Sequence, residues 1–201
     1  MSSALLEAQN VAVERGGRQL LENFSLRLCA GDIVHLQGEN GAGKTSLLRV
    51  LSGLSRFGYE GAIKRAEIPL YIGHLSSVKA PLTVRENLLW HPSGESFDDP
   101  KAVDAALNDI GLTGYEDRPA GQLSAGQQRR VNLVRLYLTQ RRVWLLDEPF
   151  TAIDKLGVER LQDRIQRHAD NGGAVLLTSH QTPERLADVR VLQLEAPRDW
   201  S

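Results

Sequence analysis

One stretch constrains this chain more than any other: Gly38-Glu39-Asn40-Gly41-Ala42-Gly43-Lys44-Thr45, a G-x-x-x-x-G-K-[ST] run. It follows the short apolar segment Ile33-Val34-His35-Leu36. It precedes Leu47, Leu48, Val50, Leu51 and Leu54 at helical spacing, with Gly53 at the helix end. Strand, glycine loop and helix in that order make a cradle for phosphate. The glycines let the backbone curl so that successive N–H groups face phosphate oxygens, and the helix N-terminus adds partial positive charge. Lys44 offers a mobile charge to the β- and γ-phosphates, and Thr45 a hydroxyl to Mg²⁺. Gly38 to Ser46 is the candidate ATP-binding segment.

A second feature belongs with the first. Leu145-Leu146-Asp147-Glu148-Pro149 places two carboxylates at the end of an apolar strand. In an open parallel sheet, ligands bind beyond the carboxyl ends of the strands, so the loop and the acidic pair can share one site. Asp147 is expected to orient the Mg²⁺ shell, and Glu148 to polarise the attacking water as general base.

The rest of the chain fits an α/β architecture. Leu5 to Val13 ends at a hairpin turn, Glu14-Arg15-Gly16-Gly17, and Phe24 to Leu28 alternates as a half-buried strand does. From Thr83 to Tyr137 the signals are mainly helical. Thr83 to Glu86 and Ser124 to Gln127 have capping-box spacing, Ala102 to Ile110 reads as a helix closed by Gly111, and His91 to Pro100 as a loop. Val143 to Leu146 and Ala174 to Leu177 are buried-strand runs, and Val189 to Leu194 is a weak final one. The segment from about 155 to 169 has Leu156, Leu161 and Ile165 on one helical face. Alternation of strands and helices implies a largely parallel sheet covered on both faces. The expected division is a single domain over 1–201, with a core at about 1–77 and 141–201 and an inserted helical subdomain at about 78–140.

Composition removes other classes. With 24 Lys+Arg against 25 Asp+Glu, the 201 residues carry a net charge of −1, which gives no general attraction to nucleic acid. Cys29 is the only cysteine, so no disulfide framework exists. No run approaches the length of a membrane span, and Met1 to Glu7 has no basic and apolar leader, so no secretory signal is expected.

Leu123-Ser124-Ala125-Gly126-Gln127 resembles the LSGGQ signature of the ATP-binding cassette (ABC) ATPases, 80 residues after Lys44 and 23 before Asp147. Physically the motif is a second helix N-terminus for phosphate, with Ser124 as its cap. The resemblance runs along the whole chain. It implies the P-loop ABC cassette fold and a head-to-tail dimer, with ATP between the phosphate loop of one subunit and Ser124 to Gln127 of the other. Thr151-Ala152-Ile153-Asp154 resembles the D-loop, whose Asp154 the family places at the dimer interface. Thr178-Ser179-His180 resembles the switch segment, which implies that His180 hydrogen-bonds the γ-phosphate beside Glu148. The remaining histidines, His35, His91 and His168, are read as structural or exposed.

Three positions depart from the family pattern. Ala125 replaces the first signature glycine. Arg15 stands where many relatives carry an aromatic against adenine; a guanidinium also stacks on a π-face. His74 replaces the Q-loop glutamine, at the position that contacts the membrane partner. Gly73-His74, the run Asp147 to Asp154 and Thr178 to Gln181 together resemble the ATP-binding subunits of bacterial haem exporters of cytochrome c maturation. That likeness implies ATP hydrolysis coupled to haem export or to release of a haem-loaded chaperone. It also implies an integral membrane permease as partner, and a peripheral place on the cytoplasmic face of the inner membrane. Alternative readings are the ATPase of another small-substrate exporter, a soluble ABC ATPase acting on nucleic acid or ribosomes, and a nucleotide-gated scaffold. Arg129-Arg130 and Arg141-Arg142 are too small to track phosphates, so no nucleic acid is expected.

Overall fold

A computed structural model describes residues 3–75, 77–89, 97 and 99–194. His91 and most of its loop lie outside these residues. In chain order the elements are β1 (Ala4–Arg15), β2 (Arg18–Cys29), β3 (Ile33–Gln37), α1 (Lys44–Ser52), β4 (Tyr59–Arg65), β5 (Leu70–Ile72), α2 (Val84–Leu89), α3 (Pro100–Asp109) and α4 (Ala125–Leu138). There follow β6 (Val143–Leu146), α5 (Lys155–Asp170), β7 (Ala174–Thr178) and β8 (Val189–Gln193). Two compact units result. The first comprises Met1–Gly73, Arg141–Pro149 and Ile165–Ser201; the second His74–Gln140 and Phe150–Arg164.

The first unit holds both sheets. One is antiparallel, in the order β2-β1-β4, and the other has five strands in the order β5-β6-β7-β3-β8 with every pairing parallel. The β1–β2 hairpin turns at Gly16 and Gly17, both with positive φ, the geometry of a tight hairpin. The inner parallel strands are apolar on both faces: every residue of β6 and β7 is buried. Leu47, Leu48 and Leu51 of α1 have no exposed surface and pack in the same core as Leu36, Leu145 and Leu176. Burial of each such leucine contributes about 1.5–3 kcal/mol. Trp144 is fully buried and lies flat on His168, with ring centroids 3.6 Å apart.

The second unit is helical, around Val84, Leu88, Val103, Leu107, Val131 and Val134. Its helices begin where local chemistry can satisfy them. Glu86 Oε2 accepts from the Thr83 amide and hydroxyl, while Thr83 Oγ1 accepts from the Glu86 amide, which closes the box that starts α2. Asp99 accepts from the Lys101 amide at the head of α3. In α5, Leu161 and Ile165 are buried as expected, but Leu156 is 57% exposed. It sits in the first turn, on the wall of a cavity it shares with Ile110, Leu133 and Tyr137.

Candidate functional site

The phosphate loop leaves the C-terminal end of β3, which runs between β7 and β8. Gly38 must be glycine for want of space: a Cβ there would lie 2.9 Å from the Leu194 carbonyl oxygen. Gly43 must be glycine for its left-handed backbone (φ 89°), and it caps α1 without a side chain. The first-turn amides of α1 are thus not claimed by a capping side chain. The Lys44 ammonium folds over the loop, donating to the carbonyls of Gly38 (2.6 Å) and Glu39 (3.0 Å). Asn40 and Gly41 form the loop's crest, while Ala42 is buried beneath it.

The acidic pair meets this loop through hydroxyls. Thr45 Oγ1 donates to Asp147 Oδ2 at 2.8 Å, and Thr178 Oγ1 donates to Asp147 Oδ1 at 3.0 Å. The same Thr178 oxygen accepts the Glu148 amide at 3.0 Å. Asp147 is buried, at 2% exposure, and its own amide bonds the Ile72 carbonyl of β5. Glu148 takes a left-handed backbone (φ 50°), rare for a side chain of its size and held here by the Thr178 bond. Its carboxylate accepts the His180 amide at 3.3 Å and lies 3.6 Å from His180 Nε2; the His180 side chain is 66% exposed. Lys44, Thr45, Asp147, Glu148 and His180 are therefore brought together within the first unit.

Hard oxygen donors suit Mg²⁺, which keeps most of its water and takes only one or two protein ligands. The Thr45 hydroxyl and the Asp147 carboxylate, already in contact beside the phosphate loop, are such a pair. Among the described residues no group of three His, Cys, Asp or Glu could hold a metal by itself.

Arg15, at the end of β1, lines a cavity of about 190 Å³ with Glu14, Ser46, Arg49 and Phe57. Phe57 is 91% exposed. In the sequence its one signal is a large apolar side chain among Ser, Arg and Gly. Sequence reasoning also misses Thr178 as a site residue. His35 is buried in β3, with both ring nitrogens engaged.

Ser124 to Gln127, Asp154 and His74 belong to the second unit. Ser124 Oγ accepts the Gln127 amide at 3.2 Å and Gln127 Oε1 accepts the Ser124 amide at 2.9 Å, a closed capping box at the head of α4. A Cβ on Gly126 would stand 2.9 Å from the Ala152 carbonyl oxygen, so the Thr151–Asp154 turn lies directly against the signature. Ala125 is exposed. Asp154 Oδ1 accepts the Gly157 amide at 2.7 Å, which makes it the cap of α5. His74 is exposed, and its carbonyl accepts from Arg129 Nη1 at 3.3 Å.

Among the described residues no helix is long and apolar enough to cross a membrane. The ABC transporter family profile matches residues 21–151. The cytochrome c biogenesis ATP-binding export protein CcmA of Tatumella citrea is 47% identical over 96% of this chain and 97% of its own length. That of Saccharophagus degradans is 46% identical over 86% of each. Among solved structures, the ATP-binding subunit of an ABC transporter superposes with a TM-score of 0.80 at 24% identity, covering 96% of this chain and 88% of its own. A dimeric post-hydrolysis ATP-binding cassette bound to ADP and Pi superposes at 0.79 with 20% identity, over 94% of this chain and 96% of its own. The chain belongs to the ABC transporter family of ATP-hydrolysing cassettes, in the group of the cytochrome c biogenesis ATP-binding export proteins.

Proposed function

We propose that this chain powers haem export in cytochrome c maturation, or release of a haem-loaded chaperone, from the cytoplasmic face of the inner membrane. Its partner is an integral membrane permease. The observation that carries the catalytic part is the continuous contact from Thr45 through Asp147 and Thr178 to Glu148 and His180, beside the Lys44 ammonium. Lys44 leaves its two carbonyls for the β- and γ-phosphates. Thr45 and Asp147 would hold Mg²⁺, which would offset the charge of the phosphate oxygens. Glu148 accepts a proton from the attacking water, and His180 sits over the γ-phosphate side. Arg15, with the neighbouring Phe57, contacts the base. The core unit (Met1–Gly73, Arg141–Pro149 and Ile165–Ser201) and the helical unit (His74–Gln140 and Phe150–Arg164) act as the two working parts. Ser124 to Gln127, a helix head closed by its own capping box, faces the ATP of a second copy in a head-to-tail dimer. Asp154 lies at that interface and His74 faces the permease.

The test is Glu148→Gln. Loss of turnover by at least about a hundredfold with ATP binding kept supports the reading, because general base catalysis is worth that much. Turnover near the wild-type rate removes Glu148 as the base. Co-purification of the wild-type chain with a haem-binding membrane complex tests the cargo; capture of an unrelated permease overturns it.

A further inference from the structure

The peptide unit joining Ser179 to His180 is held at both ends. Its N–H donates to Glu148 Oε2 at 3.3 Å. Its C=O accepts from His35 Nε2 at 3.0 Å. A carbonyl only accepts, so His35 carries its proton on Nε2, and its bare Nδ1 takes the Gln37 amide at 3.2 Å. The donors therefore point one way: Gln37 to His35, His35 to the Ser179 carbonyl, and the His180 amide to the Glu148 carboxylate. A peptide is planar and stiff, so fixing its oxygen fixes the direction of its N–H. Hydrogen bonds aligned in one sense also polarise one another.

We propose that His35 is a positioning residue for ATP hydrolysis: through the Ser179–His180 peptide it sets the orientation of the Glu148 carboxylate. The proposal rests on the reading of Glu148 as general base. His35 occupies β3, the strand that delivers the phosphate loop, and it reaches a segment 144 residues away in the chain. The strand that presents the phosphates thereby also aligns the group that activates water. Burial explains why this ring suits the task. At 2% exposure, water does not compete for Nε2 or Nδ1, and the ring is satisfied only in this one tautomer.

The experiment compares steady-state hydrolysis and ATP affinity of the full chain for wild type, His35→Leu, His35→Gln and Gln37→Leu. His35→Leu is expected to lower kcat about tenfold, within the range that small misplacements of catalytic groups cost. ATP affinity is expected to stay within about twofold, the signature of a contribution made only in the transition state. His35→Gln returns an N–H donor to the Ser179 carbonyl and is expected to recover most of the loss. Gln37→Leu leaves β3 intact and is expected to lower kcat less than His35→Leu. If His35→Leu fails to fold, the Gln37 and His35→Gln arms decide. A wild-type kcat in Gln37→Leu and His35→Leu overturns the proposal, as does an equal loss of kcat and ATP affinity. Glu148→Gln run in parallel separates the two readings. Full turnover in that variant removes the base itself, whereas a dead Glu148→Gln beside an active His35→Leu removes only the relay.

Discussion

Thr178 links the two acidic residues, giving its hydroxyl proton to the Asp147 carboxylate and taking the backbone amide of Glu148 on the same oxygen. It has no exposed surface, so no water can replace either bond. Thr178→Val keeps the shape and removes both. The buried Asp147 carboxylate and the part-buried Glu148 amide each lose a partner, at a cost of up to about 1–3 kcal/mol per group. Chemical denaturation is expected to show a loss in that range. Hydrolysis is expected to fall further than the stability loss explains, because the left-handed turn at Glu148 loses its anchor. Thr178→Ser, which keeps the hydroxyl, is expected to retain most activity.

Gly126 and Ala152 are the corresponding close approach in the second unit. The atom that a new Cβ would strike is a backbone oxygen, and Ala152 is itself in the left-handed region (φ 61°), so neither side gives way cheaply. Gly126→Ala is expected to destabilise by about 1–3 kcal/mol, as overpacking does. Ala125→Gly, at an exposed first-turn position, is expected to cost no more than about 1 kcal/mol. Urea unfolding of the two variants separates them. Equal midpoints would mean that the turn moves freely away from the helix.

What was legible in the sequence follows how local its cause is. The strand, loop and helix around Gly38 to Thr45 were readable because backbone conformation and the glycine pattern coincide. The boxes at Thr83 and Ser124 were readable because donor and acceptor lie three residues apart. The sequence reading leaves His35 as structural or exposed, and it is buried; its partner, the Ser179 carbonyl, lies just beyond β7 and 144 residues on, so nothing near His35 announces it. Leu156 was misjudged because periodicity marks a face, whereas burial depends on what reaches that face. Phe57 was passed over because an exposed aromatic acquires meaning only once the cavity beside Ser46 is seen.

Acid should loosen the head of α2. Glu86 has its pKa lowered from 4.5, first by the Thr83 amide and then by the Thr83 hydroxyl. A carboxylate whose folded value is depressed stabilises the fold above its unfolded value, and the contribution is lost as pH falls through the folded one. The contribution is thus whole at neutral pH and declines below about 4.5. Thermal midpoints of wild type and Glu86→Gln are expected to differ at pH 7 and to converge as the pH drops toward 3. A gap that stays constant across that range would show that the charge on Glu86 plays no part.

The base pocket offers the last test. Arg15, Arg49 and Phe57 share one cavity with Ser46, which directly follows the phosphate loop. A ring as exposed as Phe57 can cover the face of a nucleobase, and Arg15 can stack by its guanidinium plane. Such contacts are each worth about 0.5–1.5 kcal/mol. Phe57→Ala is therefore expected to weaken ATP binding about twofold to twelvefold, at 1.4 kcal/mol per decade. Phe57→Tyr is expected to bind as wild type. Inorganic triphosphate, which has no base, is expected to bind both equally. Titration of each ligand against a displaced fluorescent nucleotide reads these affinities. An unchanged ATP affinity in Phe57→Ala with a loss in Arg15→Ala would leave the arginine as the base contact. Parallel losses for ATP and triphosphate in Phe57→Ala would show instead that the phosphate loop had been disturbed.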